Sequence, residues 1–82
     1  MGPEIMTSID KLLELIANAL EIELELLDID SSAETIDAWD SIGHLTILGL
    51  IEDANPGILD LIPDLATAYS VQSITNLIKQ KH

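Results

Sequence analysis

The chain has no cysteine and no phenylalanine, a single tryptophan (Trp39), a single tyrosine (Tyr69) and only 3 basic side chains among its 82 residues. Without cysteine there are no disulfides and no thiolate metal sites, so any thiol chemistry must use an imported thiol. The scarcity of aromatics leaves an aliphatic, Leu- and Ile-rich core, which together with strong helix formers predicts an all-α fold. The 3 bases stand against 15 Asp and Glu, for a net charge of -12. Such a surface repels nucleic-acid phosphates and anionic lipid headgroups, so neither nucleic acid nor membrane is an expected partner. Proteins with basic patches are, because complementary fields speed encounter. No apolar run approaches the roughly 20 residues needed to cross a bilayer. The N-terminal Met1-Gly2-Pro3-Glu4 lacks the basic and apolar regions of a signal peptide, so the expected compartment is the cytoplasm.

What is present is apolar and periodic. Hydrophobic residues make up 48% of the chain, unlike a disordered composition. The length suits one small domain over residues 1–82 with a modest core, residues 1–6 being expected as a disordered tail and the molecule as a monomer. Thr7 and Ser8 are suited to cap a first helix over about residues 8–20, in which Ile9, Leu12, Leu13, Ile16 and Leu20 recur at helical spacing. Residues 20–27, Leu-Glu-Ile-Glu-Leu-Glu-Leu-Leu, alternate like a strand. A lone strand has no partner, which leaves either an extended segment laying Leu20, Ile22, Leu24 and Leu26 on the core or an extra helical turn; a partly extended loop is expected. Residues 28–40 read as a long ordered loop with Ile29, Ile36 and Trp39 as apolar pins. Asp40 or Ser41 then caps a second helix, apolar on nearly every face through Ile42, Leu45, Ile47, Leu48, Leu50 and Ile51. It should stop near Asn55, ahead of Pro56-Gly57. Pro63 is placed to start a short third helix at Asp64–Tyr69, and Ser70 caps a fourth, with Val71, Ile74, Leu77 and Ile78 turned inward. The expected architecture is a small four-helix bundle: three main helices, one short one and a long loop between the first two, with the core built from the first, second and fourth.

The informative string is Ala38-Trp39-Asp40-Ser41-Ile42-Gly43-His44-Leu45. It puts a serine on the first turn of a helix, where backbone N–H groups and the positive end of the dipole favour an attached anion. The preceding loop would leave that hydroxyl open to a modifying enzyme. These features make Ser41 compatible with a phosphodiester without specifying which one.

The segment Trp39–Leu45 resembles the attachment motif of the acyl and peptidyl carrier proteins, in which Asp-Ser and a large aliphatic residue open the second helix. The likeness extends to Asp30-Ser31-Ser32 in the loop, Ile62-Pro63-Asp64 at the start of the third helix and Val71 at the start of the fourth. The resemblance implies a non-enzymatic carrier. In it, a phosphopantetheinyl transferase uses coenzyme A and Mg²⁺ to place a 4'-phosphopantetheine arm on Ser41. The thiol of the arm then holds acyl or aminoacyl cargo as a thioester for loading and transferring enzymes. By the same resemblance Asp40 caps the helix and aids recognition, Ile42 packs beside the arm, and Asp37, His44, Leu45, Glu52 and Asp53 form the docking set. Gly43 and Thr46 occupy positions where the family often has acids, which implies more apolar partner recognition. Ile42 is expected exposed and Ile51 buried.

Other readings of the same residues exist. Asp40, Ser41 and His44 are the residue types of a hydrolytic triad, and Ser41 and His44 lie one turn apart; a triad also needs an oriented base and an oxyanion hole, and His44 is expected instead as an exposed residue flanking the arm. Asp28, Asp30, Ser32 and Glu34 suggest a calcium loop, but Ala33 and Trp39 stand where an EF-hand needs Gly and Glu. That leaves weak divalent binding, or a helical interaction module without a prosthetic group, as alternatives to the carrier.

Overall fold

The computed structural model describes residues 9–81; the expected caps Thr7 and Ser8 and the expected tail 1–6 lie outside them. Among the described residues four α-helices follow one another: α1 (Ile9–Leu20), α2 (Ser41–Ala54), α3 (Ile58–Leu61) and α4 (Val71–Lys81). Short 3₁₀ segments at Leu24–Leu26 and Pro63–Thr67 complete them. The architecture is the expected small all-α bundle.

The apolar stripe of α1 buries Leu12, Ile16, Ala17 and Leu20. It packs chiefly on α2, whose buried side carries Ile47, Leu48 and Ile51. From α4, Val71, Ile74 and Ile78 close the core, and Leu65 enters it from the second 3₁₀ segment. Leu77 is half-buried at its margin.

The alternating run after α1 is a partly extended loop, as expected, but it does not lay Leu24 and Leu26 on the core. Helix α1 ends at Leu20, and Glu21 after it takes the left-handed conformation with φ 57. There the amide of Ile22 donates to the Ala17 carbonyl at 3.1 Å and that of Glu21 to the Asn18 carbonyl at 3.3 Å, a Schellman-type stop that satisfies the last carbonyls. The chain then makes one 3₁₀ turn at Leu24–Leu26. Period-two alternation aims side chains correctly only on an extended backbone. On this turn Leu24 and Leu26 are exposed, Ile22 is half-buried and Leu27 takes the inward position.

The loop 28–40 is held by its own polar side chains. The Asp28 amide donates to Ser31 Oγ at 3.0 Å, and the Ser32 amide to Thr35 Oγ1 at 3.0 Å. One antiparallel rung joins Ser32 to Ser70, with the Ala33 amide donating to the Tyr69 carbonyl and the Val71 amide to the Ser31 carbonyl. Trp39 and Ile36 pack inward as expected, whereas Ile29 is exposed. The turn after α2 differs from expectation too: helix α3 forms over Ile58–Leu61, and the Pro63 segment is a 3₁₀ helix ending at Thr67. Ser70 caps α4 as expected, its Oγ accepting from the Ser73 amide at 3.1 Å.

Candidate functional site

Two carboxylates and one imidazole set the geometry of α2. Asp40 lies just outside the helix in extended backbone, and its Oδ1 accepts from the Gly43 amide at 2.8 Å. This is the preferred N-cap arrangement, satisfying a donor that the helix itself leaves unpaired. Ser41 is the first helical residue and is exposed. Its hydroxyl therefore stands in solvent at the positive end of a 14-residue helix. Next to it Ile42 is 75% exposed and Leu45 is 66% exposed. With Thr46 and Gly49, also exposed, they make an uncharged outer face on α2 until Asp53.

Gly43 is required by a close approach. A Cβ at this position would lie 2.5 Å from the Ala38 carbonyl oxygen and 2.7 Å from a Leu20 methyl. The first turn of α2 thus rests directly on the end of the loop and on the last residue of α1. Gly49 is the opposite case: a Cβ there would meet nothing within 4 Å.

His44, expected on the surface beside the arm, is instead buried, with 3% of its area exposed. The first turn places it on the core side of α2, opposite Ser41 in role though one turn away. Its Nδ1 accepts from Trp39 Nε1 at 3.0 Å, and its Nε2 lies 3.1 Å from the Leu65 carbonyl oxygen. The rings of His44 and Trp39 lie nearly parallel with centroids 6.2 Å apart, and the His44 ring tilts against Tyr69 at 4.4 Å. His44 therefore belongs to the frame of the site and not to a docking surface. Spacing alone shows that Ser41 and His44 share a helix; which side faces the core depends on what α2 packs against, here the second 3₁₀ segment.

Glu52, also expected in the docking set, is half-buried and engaged with the turn that follows α2. Its Oε2 accepts from the Gly57 amide at 2.7 Å and its Oε1 from the Leu59 amide at 3.1 Å. The carboxylate caps the first turn of α3 from a neighbouring helix, while Gly57 turns the chain with φ 93. These hydrogen bonds, that from Gly57 above all and then that from Leu59, hold its carboxyl below the usual range, against a small opposing effect of desolvation. Of the remaining expected docking residues, Asp37, Leu45 and Asp53 are exposed.

The triad reading does not survive this geometry. Both ring nitrogens of His44 are engaged with Trp39 and Leu65, and the Asp40 carboxylate is engaged with Gly43. Neither side chain is left free to act as a base on Ser41. The acidic loop does not gather either: Asp28 Oδ1 accepts from the Asp30 amide and Asp30 Oδ1 from Gln72. Among the described residues no group of three or more His, Cys, Asp or Glu is arranged to hold a metal ion, and no helix is long and apolar enough to cross a membrane. Comparison of the chain with protein-family models, with curated proteins and with solved structures finds no match.

Proposed function

We propose that this protein is a non-enzymatic carrier bearing a 4'-phosphopantetheine arm on Ser41. The observation that carries the reading is the exposed Ser41 hydroxyl on the first residue of an N-capped α2, within the string Trp39–Leu45 that resembles the carrier attachment motif. A phosphodiester at that oxygen would lie beside the amides of the first turn, which favour an anion. His44 and Asp40 are engaged with Trp39, Leu65 and Gly43, so in this reading the transferase activates the Ser41 hydroxyl. When bound, the arm supplies the thiol that a chain without cysteine lacks, and with it thioester transport of acyl or aminoacyl cargo. Asp40 fixes the turn. Ile42 and Leu45 offer an apolar contact beside the arm, and Asp37 and Asp53 supply negative charge around it for enzymes with basic patches. A cytoplasmic monomer is the form in which we expect it to act.

The test is intact-mass analysis after incubation with coenzyme A, Mg²⁺ and a broad-specificity phosphopantetheinyl transferase. One adduct should form on the wild-type chain and none on Ser41→Ala. Labelling that persists at Ser31, Ser32 or Ser70 in the variant, or a wild-type chain that gains no mass, would sink the proposal.

A further inference from the structure

We infer that His44 is a positioning residue for Ser41, acting as a singly protonated ring that fixes the turn presenting the hydroxyl. The inference rests on the carrier reading for its purpose, and on hydrogen-bond chemistry for its content. An indole N–H only donates and a backbone carbonyl only accepts. Trp39 Nε1 faces His44 Nδ1 at 3.0 Å, and the Leu65 carbonyl faces Nε2 at 3.1 Å. The arrangement is satisfied by one form of the ring, with the proton on Nε2. The other neutral form would set two donors against each other at Trp39 and a lone pair against the Leu65 oxygen. Both contacts are buried, where unmatched polar atoms cost most.

The placement of these partners gives the bridge its consequence for the site. Trp39 lies two residues before Ser41 and His44 three residues after it, so one hydrogen bond clamps the chain across the serine. The second ties the clamp to the 3₁₀ segment Pro63–Thr67. Gly43 lets the clamped turn sit on the Ala38 carbonyl, and Asp40 completes it from outside. Tyr69, the titratable side chain that touches the ring besides these partners, covers it from the segment before α4. The direction of the Ser41 hydroxyl is thus set by a side chain that never reaches it.

Nitrogen-15 NMR of the wild-type imidazole should show the proton on Nε2; a proton on Nδ1 would overturn the inference. Two half-mimics divide the bridge. In H44N the amide oxygen replaces the acceptor toward Trp39, and in H44Q the amide nitrogen replaces the donor toward Leu65. In H44A the Trp39 indole N–H and the amides of Ile42 and Gly43 should exchange about tenfold faster than in the wild type, while the amides of Ile74 and Ile78 in α4 keep their protection. H44N should recover most of the Trp39 protection and H44Q little of it. The rate of phosphopantetheine transfer to Ser41 should follow the same order. If H44A does not fold, the contrast between H44N and H44Q decides the matter. Wild-type exchange and transfer in both would overturn the inference. A wild-type chain that gains no mass, but whose exchange pattern depends on His44 as described, would overturn the carrier reading and support the positioning role.

Discussion

At its N-terminal end α2 is held in the interior by a ring of uncharged groups: Trp39, His44 and the Leu65 carbonyl, with Gly43 pressed on the Ala38 oxygen. At its C-terminal end the chain is held from the surface by one ionised side chain, Glu52, bonded to the amides of Gly57 and Leu59. The two junctions do the same work, fixing how a helix meets its neighbour. They differ in what disturbs them. A packed junction is disturbed by changes of shape and by lost hydrogen bonds; a carboxylate cap is disturbed by loss of its charge. The rigid junction is the one that carries Ser41.

The largest expected effect lies between the junctions. Ile51 is fully buried in the last turn of α2, and Ile51→Ala should cost about 2–5 kcal/mol. In a domain this small that loosens both ends together, so a thermal melt should show most of the stability gone. A variant that melts close to the wild type would mean that α2 is not the shared support of the two junctions.

The next effect separates two glycines on one helix. Gly43→Ala places a methyl against backbone at 2.5 Å and should destabilise by about 1–3 kcal/mol through overpacking. Gly49→Ala meets open space and should stabilise by about 0.5–1 kcal/mol, because alanine is the better helix former. Opposite signs in paired denaturant titrations sharpen the comparison; equal effects would remove the close packing claimed for the first turn.

Exposure at Ile42 makes a smaller prediction for stability and a specific one for function. Ile42→Ala should change stability by no more than about 0.5 kcal/mol while slowing transfer to or from partner enzymes. A variant that unfolds, or one that leaves every partner reaction unchanged, would show that the outer face of α2 is not where partners bind.

The smallest effect belongs to the C-terminal junction and depends on pH. The Glu52 carboxyl titrates below its ordinary value in the folded protein, so its contribution is fully present above the unfolded glutamate value and is lost as pH falls through the lower folded one. Glu52→Gln should therefore be less stable than the wild type near neutrality, and the gap should close in acid. Melts of the two proteins across that range check this, and a gap that stays constant or widens toward acid would contradict the cap.

Much of this frame is legible in the residues themselves. Asp40 before Ser41, Pro56-Gly57 after Asn55 and Ser70 before Val71 mark helix ends through local chemistry, and the structure puts helix ends at each of them. Exposure of Ile42 and burial of Ile51 follow expectation as well. What was not legible depends on distant partners. His44 turns inward because Trp39 and the carbonyl of Leu65, 21 residues away, meet its two nitrogens. Helix α3 exists in a stretch without a strong local pattern because a carboxylate seven residues before Leu59 caps it. Residues 20–27 mislead by their alternation, because a left-handed Glu21 ends α1 and a 3₁₀ turn follows.

The burial of Trp39 has a consequence for how the molecule can be observed. The chain has one tryptophan, one tyrosine and no phenylalanine or cysteine, and both aromatic residues pack against His44. Near-ultraviolet absorption, emission and circular dichroism of the whole protein therefore arise from one cluster beside Ser41. Far-ultraviolet dichroism, by contrast, reports every helix. Two optical signals from an unlabelled sample thus separate the attachment turn from the bundle, and any enzyme or cargo that rearranges the turn writes its arrival into the tryptophan spectrum.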